Sequence, residues 1–118
     1  MRRRCVGRDT PPAVLDADTA ATVAATLQAL ATPSRLMILS RLRRAPCSVT
    51  ELAEAIGMQQ SAVCHQLRLL RNLGLVTGTR AGQRIVYGLH DNQVAMLLDE
   101  AVYHSEYLRL GLRDPETA

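Results

Sequence analysis

The chain contains neither phenylalanine nor tryptophan, and its three tyrosines leave aromatic residues at only 3% of 118 positions. Without large rings, the core must be packed by leucine, isoleucine, valine and alanine, as in helical bundles. Lysine is absent too, so every basic residue is arginine, which suits bidentate contacts with phosphate and guanine. The net charge of +3 is too small to indicate a polyanionic partner by itself.

Long apolar runs are also missing, because no segment approaches the length of a membrane span and no signal-peptide core follows the arginine-rich start. The three cysteines, Cys5, Cys47 and Cys64, are odd in number and far apart, so they define no internal disulfide framework. We therefore expect a cytoplasmic protein without a membrane anchor. An apolar content of 47% allows one domain with a small core, which would gain from a second chain.

Catalytic motifs are lacking as well. The sequence has no HExxH, no glycine-rich phosphate loop, no GxSxG and no cysteine pair at zinc-binding spacing. Cys64 and His65 are adjacent, but neighbours on a helix point about 100° apart and cannot form a nucleophilic pair. We expect neither enzymatic activity nor an organic cofactor.

Residues 48–71 predict two short helices joined by a tight turn. Gly57 lies where the first helix must end, and the hydroxyl of Ser61 is expected to cap the second. Apolar residues recur at helical spacing in both halves, at Leu52, Ile56, Val63, Leu67 and Leu70. One face of each helix should therefore be buried.

The second of these helices presents mostly polar side chains on its other face. They are Gln59, Gln60, Ser61, Ala62, Cys64, His65 and Arg68. Such a face suits base edges and phosphates in a DNA major groove. Helix pairs with an intervening glycine are common in small helical proteins, so this pattern alone supports DNA binding and ordinary packing about equally.

A predicted hairpin after Gly74 shifts the balance toward DNA binding. Two extended segments flank the turn TRAGQR, which Arg80 and Arg84 make cationic. A helix-turn-helix followed by a basic hairpin predicts a winged helix in which both arginines bind DNA. Clustering of the basic residues favours phosphate binding over a merely solvated surface. The clustered residues are Arg41, Arg43, Arg44, Arg68, Arg71, Arg80 and Arg84.

Three further helices complete the prediction. Asp16 or Asp18 would cap the first, whose apolar stripe is Val23, Leu27 and Leu30. The second starts at Thr32-Pro33, with leucines toward the core and arginines in solvent: Leu36, Leu39 and Leu42 against Arg35, Arg41, Arg43 and Arg44. The last runs from residue 92 to about 110 with a wide apolar stripe, formed by Val94, Leu97, Leu98, Ala101, Val102 and Leu108.

The predicted fold is mainly α with a small β-hairpin, a winged helix-turn-helix of order α-α-α-α-β-β-α. We assign residues 1–13 to a mobile basic arm, 14–112 to a DNA-binding and dimerisation domain, and 113–118 to a C-terminal tail. A monomer this small has too little core to cover both end helices, so we expect a homodimer in which they pack across a two-fold axis. Its paired helices would read a palindromic double-stranded DNA operator.

Three stretches resemble the ArsR/SmtB family of metal-sensing bacterial repressors, namely ALATPSRLMIL, ELAEAIGMQQSAVCHQLRLLRNLGLV and the strand IVYGL. The resemblance spans residues 14–112 and implies a winged-helix homodimer that occupies its operator when metal-free and is released when metal binds. It also implies that Gln60, Ser61, His65 and Arg68 contact DNA. Cys64 stands where a serine is often found before that histidine.

The C-terminal part is similar to the nickel- and cobalt-sensing branch of that family, whose site combines Asp-x-His with a later His-x-x-His or Glu. This chain keeps Asp91 and His104 but has Gln93 and Tyr107 at other ligand positions, where they suit Ni(II) or Co(II) poorly. Asp91 and His104 are thirteen residues apart, roughly 20 Å along a helix, so they could share an ion only across a dimer. The candidates to complete the shell are His90, Glu106, and either Cys5 or the N-terminal amine of the arm. Zn(II) is an alternative metal.

Simpler roles stay open for the same residues. By spacing alone, Asp91 is a helix cap and His104 a surface side chain. The CxC thiolate site of other family members is not matched, because Ser48 and Thr50 hold those positions and Cys47 is displaced by one. Two alternatives to a metal sensor stay open. One is a thiol-responsive repressor, and the other is a DNA-binding subunit whose effector is sensed by an accessory protein.

Overall fold

The computed structural model describes residues 14–111, so the predicted arm at residues 1–13, the tail at 113–118 and the candidate ligand Cys5 lie outside the described residues. Within that range, five helices and three strands follow in chain order: α1 (Ala17–Ala29), α2 (Pro33–Arg44), β1 (Cys47–Ser48), α3 (Val49–Ile56), α4 (Gln60–Asn72), β2 (Val76–Ala81), β3 (Arg84–Leu89) and α5 (Asn92–Arg109). The predicted winged helix-turn-helix is confirmed, and β1 is an addition to it.

Side chains close to the helix ends explain where the helices begin and stop. Asp16 begins α1, because its Oδ1 accepts a hydrogen bond from the backbone N–H of Thr19 at 2.7 Å. Ser48 begins α3 and forms a reciprocal capping box with Glu51. Gly57 ends α3 in the left-handed region, at φ 72°, which a residue without a Cβ adopts readily.

The core is aliphatic, as the composition requires. Its most deeply buried side chains come from α2, α3, α4 and β2 and are Ile38, Leu39, Leu52, Val63, Leu67, Leu70 and Val76. The prediction for the apolar face of α2 was wrong at one position, because Leu36 is 39% exposed and Ile38, at 0%, faces inward. α2 packs against α3, β3 and α5, and positions 38 and 42 lie one turn apart on the side facing them.

The three strands form one antiparallel sheet in the order β1-β3-β2. β2 and β3 make the predicted hairpin, and Gly82 in its turn adopts a φ of 68°. β1 pairs Cys47 and Ser48 with Tyr87 and Val86 of β3. Because Ser48 also caps α3, this short strand connects the hairpin, or wing, to the start of the helix-turn-helix.

Part of the apolar surface of α1 and α5 is not covered by the rest of the chain. The exposed large side chains on these two helices are Val23, Leu27, Met96, Val102, Tyr103 and Leu108. In α5, Val94 and Leu98 are buried, so the first half of the predicted stripe packs on the core and the second half does not. Among the described residues, no helix combines the length and the apolar composition that a bilayer crossing needs.

Candidate nucleic-acid interface and metal ligands

The two faces of α4 have opposite environments. Val63, Leu67 and Leu70 are at most 1% exposed. The four residues of this helix that were predicted to bind DNA are all exposed to solvent: Gln60, Ser61, His65 and Arg68. The predicted cap at Ser61 is wrong, because α4 already begins at Gln60 and Ser61 lies inside its first turn. The Ser61 hydroxyl is therefore placed on the polar face and not used to begin the helix.

A polar contact that the sequence did not predict connects α4 to α2. The Arg35 Nε donates a hydrogen bond to Oε1 of Gln66 at 2.9 Å. Both side chains are half-buried, although Arg35 was expected to be in solvent. The contact helps to fix the orientation of α4 relative to the body of the domain.

The two arginines of the wing differ in their surroundings. Arg80 lies exposed near the end of β2. The Arg84 guanidinium forms an ion pair with Oε1 of Glu51 at 3.1 Å, with the two side chains about half exposed. The hydrogen bond from the Ser48 backbone N–H lowers the pKa of Glu51, with a smaller contribution from Arg84. An ion pair this exposed is weak because solvent screens it, so a DNA phosphate can compete for Arg84.

The two cysteines within the described residues have different reactivity. Cys47 is buried in β1, and burial raises the pKa of its thiol, which disfavours the nucleophilic thiolate. Cys64 is exposed on α4, on the face that carries the polar side chains. Within residues 14–111 these two thiols lie in different elements and form no disulfide, and Cys5 lies outside the described residues.

Asp91 is both a helix cap and a candidate ligand. Its Oδ1 accepts hydrogen bonds from the backbone N–H groups of Gln93 at 3.0 Å and Val94 at 3.1 Å, which begins α5. Its Oδ2 lies 3.1 Å from Nδ1 of His90. The hydrogen bond from the Val94 N–H is the largest cause that lowers the pKa of Asp91, and it favours the ionised carboxylate that metal binding requires.

The other candidate ligands lie toward the opposite end of α5. His104 is exposed there, while Glu106 accepts two hydrogen bonds from Arg109, at 2.7 Å and 3.0 Å. Tyr107 is half-buried and its ring centroid is 6.2 Å from that of Tyr103. Within residues 14–111, no three histidine, cysteine or carboxylate side chains come together as a metal cluster. One chain therefore holds Asp91 and His104, whose carboxylate and imidazole suit a transition metal, toward opposite ends of α5.

Sequence and structure comparisons place this fold and polar helix in a known class. Residues 32–77 match the profile of the bacterial regulatory protein family arsR. The chain is 70% identical over 108 residues to the HTH-type transcriptional regulator NmtR of Mycobacterium tuberculosis, covering 92% of this chain and 90% of that protein. The chain belongs to the ArsR/SmtB family. Its members are DNA-binding transcriptional regulators and not enzymes, as the sequence predicted.

Individual relatives agree with this class over most of their length. The solution structure of apo-NmtR is similar to this chain with a TM-score of 0.72 and 65% identity, covering 99% of this chain and 100% of that one. A transcriptional repressor SmtB homolog from Synechocystis is 42% identical over 97 residues, or 82% of this chain and 74% of that protein. The homodimeric winged helix-turn-helix DNA-binding domain of Mb0332 from Mycobacterium bovis gives a TM-score of 0.76 at 28% identity, covering 87% and 98%.

Because Glu51 forms an ion pair with Arg84, removal of the Glu51 charge should change the affinity of the wing for DNA. A glutamine at position 51 can still accept the Ser48 hydrogen bond, so Glu51→Gln should keep the cap while releasing Arg84. We expect binding to any duplex to strengthen about two- to fivefold and its salt dependence to steepen. Fluorescence anisotropy with operator and unrelated duplexes measures both quantities.

Glu54→Gln is the matched control, because it removes the same charge from an exposed position of α3. Equal changes in the two variants would mean that the overall charge acts and not the contact with Arg84.

Proposed function

We propose that this regulator represses transcription as a homodimer on a palindromic operator and that a divalent metal ion, Ni(II) or Co(II), relieves the repression. The observation that carries the proposal is the polar face of α4, fixed outward beside an arginine-bearing wing. Membership of the arsR family and the similarity to the SmtB homolog, a transcriptional repressor, support repression over activation. Such a protein acts in the bacterial cytoplasm, with residues 14–112 as its functional domain.

The roles of the DNA-facing residues follow from their positions. Gln60, Ser61 and His65 occupy the first turns of α4, the part of a recognition helix that reaches base edges in the major groove. Arg68, Arg80 and Arg84 lie farther along the helix and on the wing. We assign these arginines to backbone phosphates, which determine affinity more than sequence preference.

This division of roles is tested by alanine variants. Gln60→Ala or His65→Ala should cost about 1–3 kcal/mol on the operator and reduce discrimination between bases. Arg68→Ala should weaken operator and unrelated duplex alike and lower the salt dependence. Titrations at several salt concentrations separate these outcomes, and unchanged affinity and specificity in all three variants would contradict the assignment.

The homodimer is supported by the uncovered apolar side chains of α1 and α5. Apolar surface of this extent on two terminal helices is typical of a protein interface. The winged-helix domain of Mb0332 is homodimeric and shares this fold. Packing α1 and α5 against a second copy would bury both surfaces and place two α4 helices for two half-sites.

Charge placed on this surface should separate the subunits. Val102 is 58% exposed, so Val102→Glu should leave the single chain folded while opposing burial against a second copy. Analytical ultracentrifugation should show monomers at micromolar concentration, with a native circular dichroism spectrum and weaker operator binding. Ala55→Glu, at an exposed position of α3, is the control and should stay dimeric. A monomeric wild type would contradict the proposal directly.

A metal site between the subunits would use the ligands that α5 separates in one chain. Carboxylate oxygen from Asp91 and imidazole nitrogen from His104 of the partner subunit are groups that Ni(II) and Co(II) favour, and Zn(II) accepts them too. His90 is the nearest additional donor to Asp91, 3.1 Å away. Glu106 would first have to leave Arg109, and Cys5 is a further candidate. Because Gln93 and Tyr107 are poor ligands, we expect weak affinity.

An isosteric variant of Asp91 separates its role as a helix cap from its role as a metal ligand. Asparagine caps a helix as well as aspartate does, so Asp91→Asn should keep the thermal stability and lose Ni(II) affinity, whereas Asp91→Ala should also cost about 1 kcal/mol of stability. His104→Ala should lose Ni(II) affinity as well, with His65→Ala as the control. Calorimetry measures binding in each variant, and a His104→Ala variant that binds Ni(II) as tightly as wild type would show that this site is vestigial.

A further inference from the structure

A cleft lies between the last turns of α4 and the wing, outside the residues assigned above to the reading of bases. It has a volume of about 350 Å³ and is lined by Cys64, Arg68, Arg71, Asn72 and Tyr87. Four of these side chains come from α4 and the fifth from β3. The cleft therefore lies between the recognition helix and the wing, the two elements with which a winged helix contacts DNA.

The charge in this cleft is uncompensated. Arg43, Arg84 and Arg109 each form an ion pair with a carboxylate. Neither Arg68 nor Arg71 has a carboxylate partner among residues 14–111, and both are exposed. Three residues apart on one helix, they are neighbours on its surface, so two positive groups face the same space. Asn72 adds an amide donor and Tyr87 a hydroxyl.

The position of Tyr87 is determined by the wing itself. Its ring lies over Gly78, where an added Cβ would come within 3.1 Å of Tyr87 Cε1. The residue pairs with Gly78 on one side of β3 and with Cys47 on the other, and it packs against the core. A donor held in this way loses little conformational entropy when it binds a ligand.

We propose that this cleft binds a backbone phosphodiester of the DNA strand that separates the major groove from the adjacent minor groove. The inference rests on the proposed function, in which α4 enters the major groove. A wing beside that helix reaches toward the neighbouring minor groove, so the strand between the two grooves must pass between helix and wing. Arg68 and Arg71 then neutralise the phosphate, and Asn72 and Tyr87 donate hydrogen bonds to its oxygens.

The consequence is a division of α4 along its length. Its first turns read base edges, and its last turn, together with the wing, fixes the register by holding one phosphate. Arg71, Asn72 and Tyr87 thereby become DNA contacts. Cys64 lies in the same cleft and on the DNA-facing side of α4, so DNA seated in the cleft must shield its exposed thiol from alkylation.

The first test uses two variants that affect the cleft in different ways. Arg71→Ala should weaken operator and unrelated duplex by the same factor, about three- to tenfold, and should reduce the salt slope by about 1. Tyr87→Phe keeps the ring and should produce a uniform loss of about three- to tenfold. Arg109→Ala, on α5, is the control and should bind as wild type does. An Arg71→Ala protein with the wild-type salt slope would overturn the inference.

The second test measures the rate at which iodoacetamide alkylates Cys64 in a Cys5→Ser protein, with buried Cys47, whose thiol should stay unreactive, as the control for unfolding. Saturating operator should slow the reaction at Cys64 at least tenfold. If the operator binds and the rate does not change, the cleft inference fails while the proposed function stands; a protein that binds no duplex would overturn both. Protection by inorganic phosphate but not by operator would assign the cleft to a free anion and likewise overturn the inference.

Discussion

The burial of one face of α4 is the constraint on which the other features depend. Val63, Leu67 and Leu70 extend over two turns and are almost inaccessible, so the helix cannot rotate about its axis without exposing one of them. The directions of the outward side chains are therefore set before DNA is present. Preorganisation of this kind lowers the entropy lost on binding, which is why a small domain can present a specific surface. Gly57, in the turn that precedes α4, and the Arg35–Gln66 contact add to the same effect.

Features with a local signal were predictable from the sequence, and features formed by distant residues were not. Helical spacing around Leu52 and Val63, and the glycines near the turns, gave the helix-turn-helix and the wing. β1 has two residues, too few to show alternation. The Arg84–Glu51 pair joins positions 33 apart, and no pattern in either neighbourhood marks it. The error at Leu36 has a related cause, because the elements around α2 decide which of its apolar residues turn inward.

The same distinction divides the candidate sites. The exposed face of α4 could be predicted, because periodicity alone separates it from the buried face. The cleft beside the wing could not, since Arg71 and Tyr87 come from two elements whose approach depends on the sheet register.

Asp91 has a local role as a helix cap, which the sequence also allowed. This role does not conflict with metal ligation, because a carboxylate has two oxygens and only Oδ1 caps the helix. The uncovered side chains of α1 and α5 point to a second copy of the chain, and the proposed metal site would need one because α5 separates Asp91 from His104.

In the proposed metal site, the replacement of expected ligands by Gln93 and Tyr107 would affect metal affinity and regulation differently. Missing ligands lower the affinity of both conformations of a dimer, whereas regulation depends only on the ratio of the two affinities. A site that is weak in both conformations can therefore change DNA binding as strongly as a complete site, but at a higher metal concentration. The coupling is reciprocal, so operator DNA must lower metal affinity by the same factor by which metal lowers operator affinity. In the proposed function, these substitutions would directly change the metal concentration at which the regulator responds, and this threshold can shift while the DNA-binding surface stays the same.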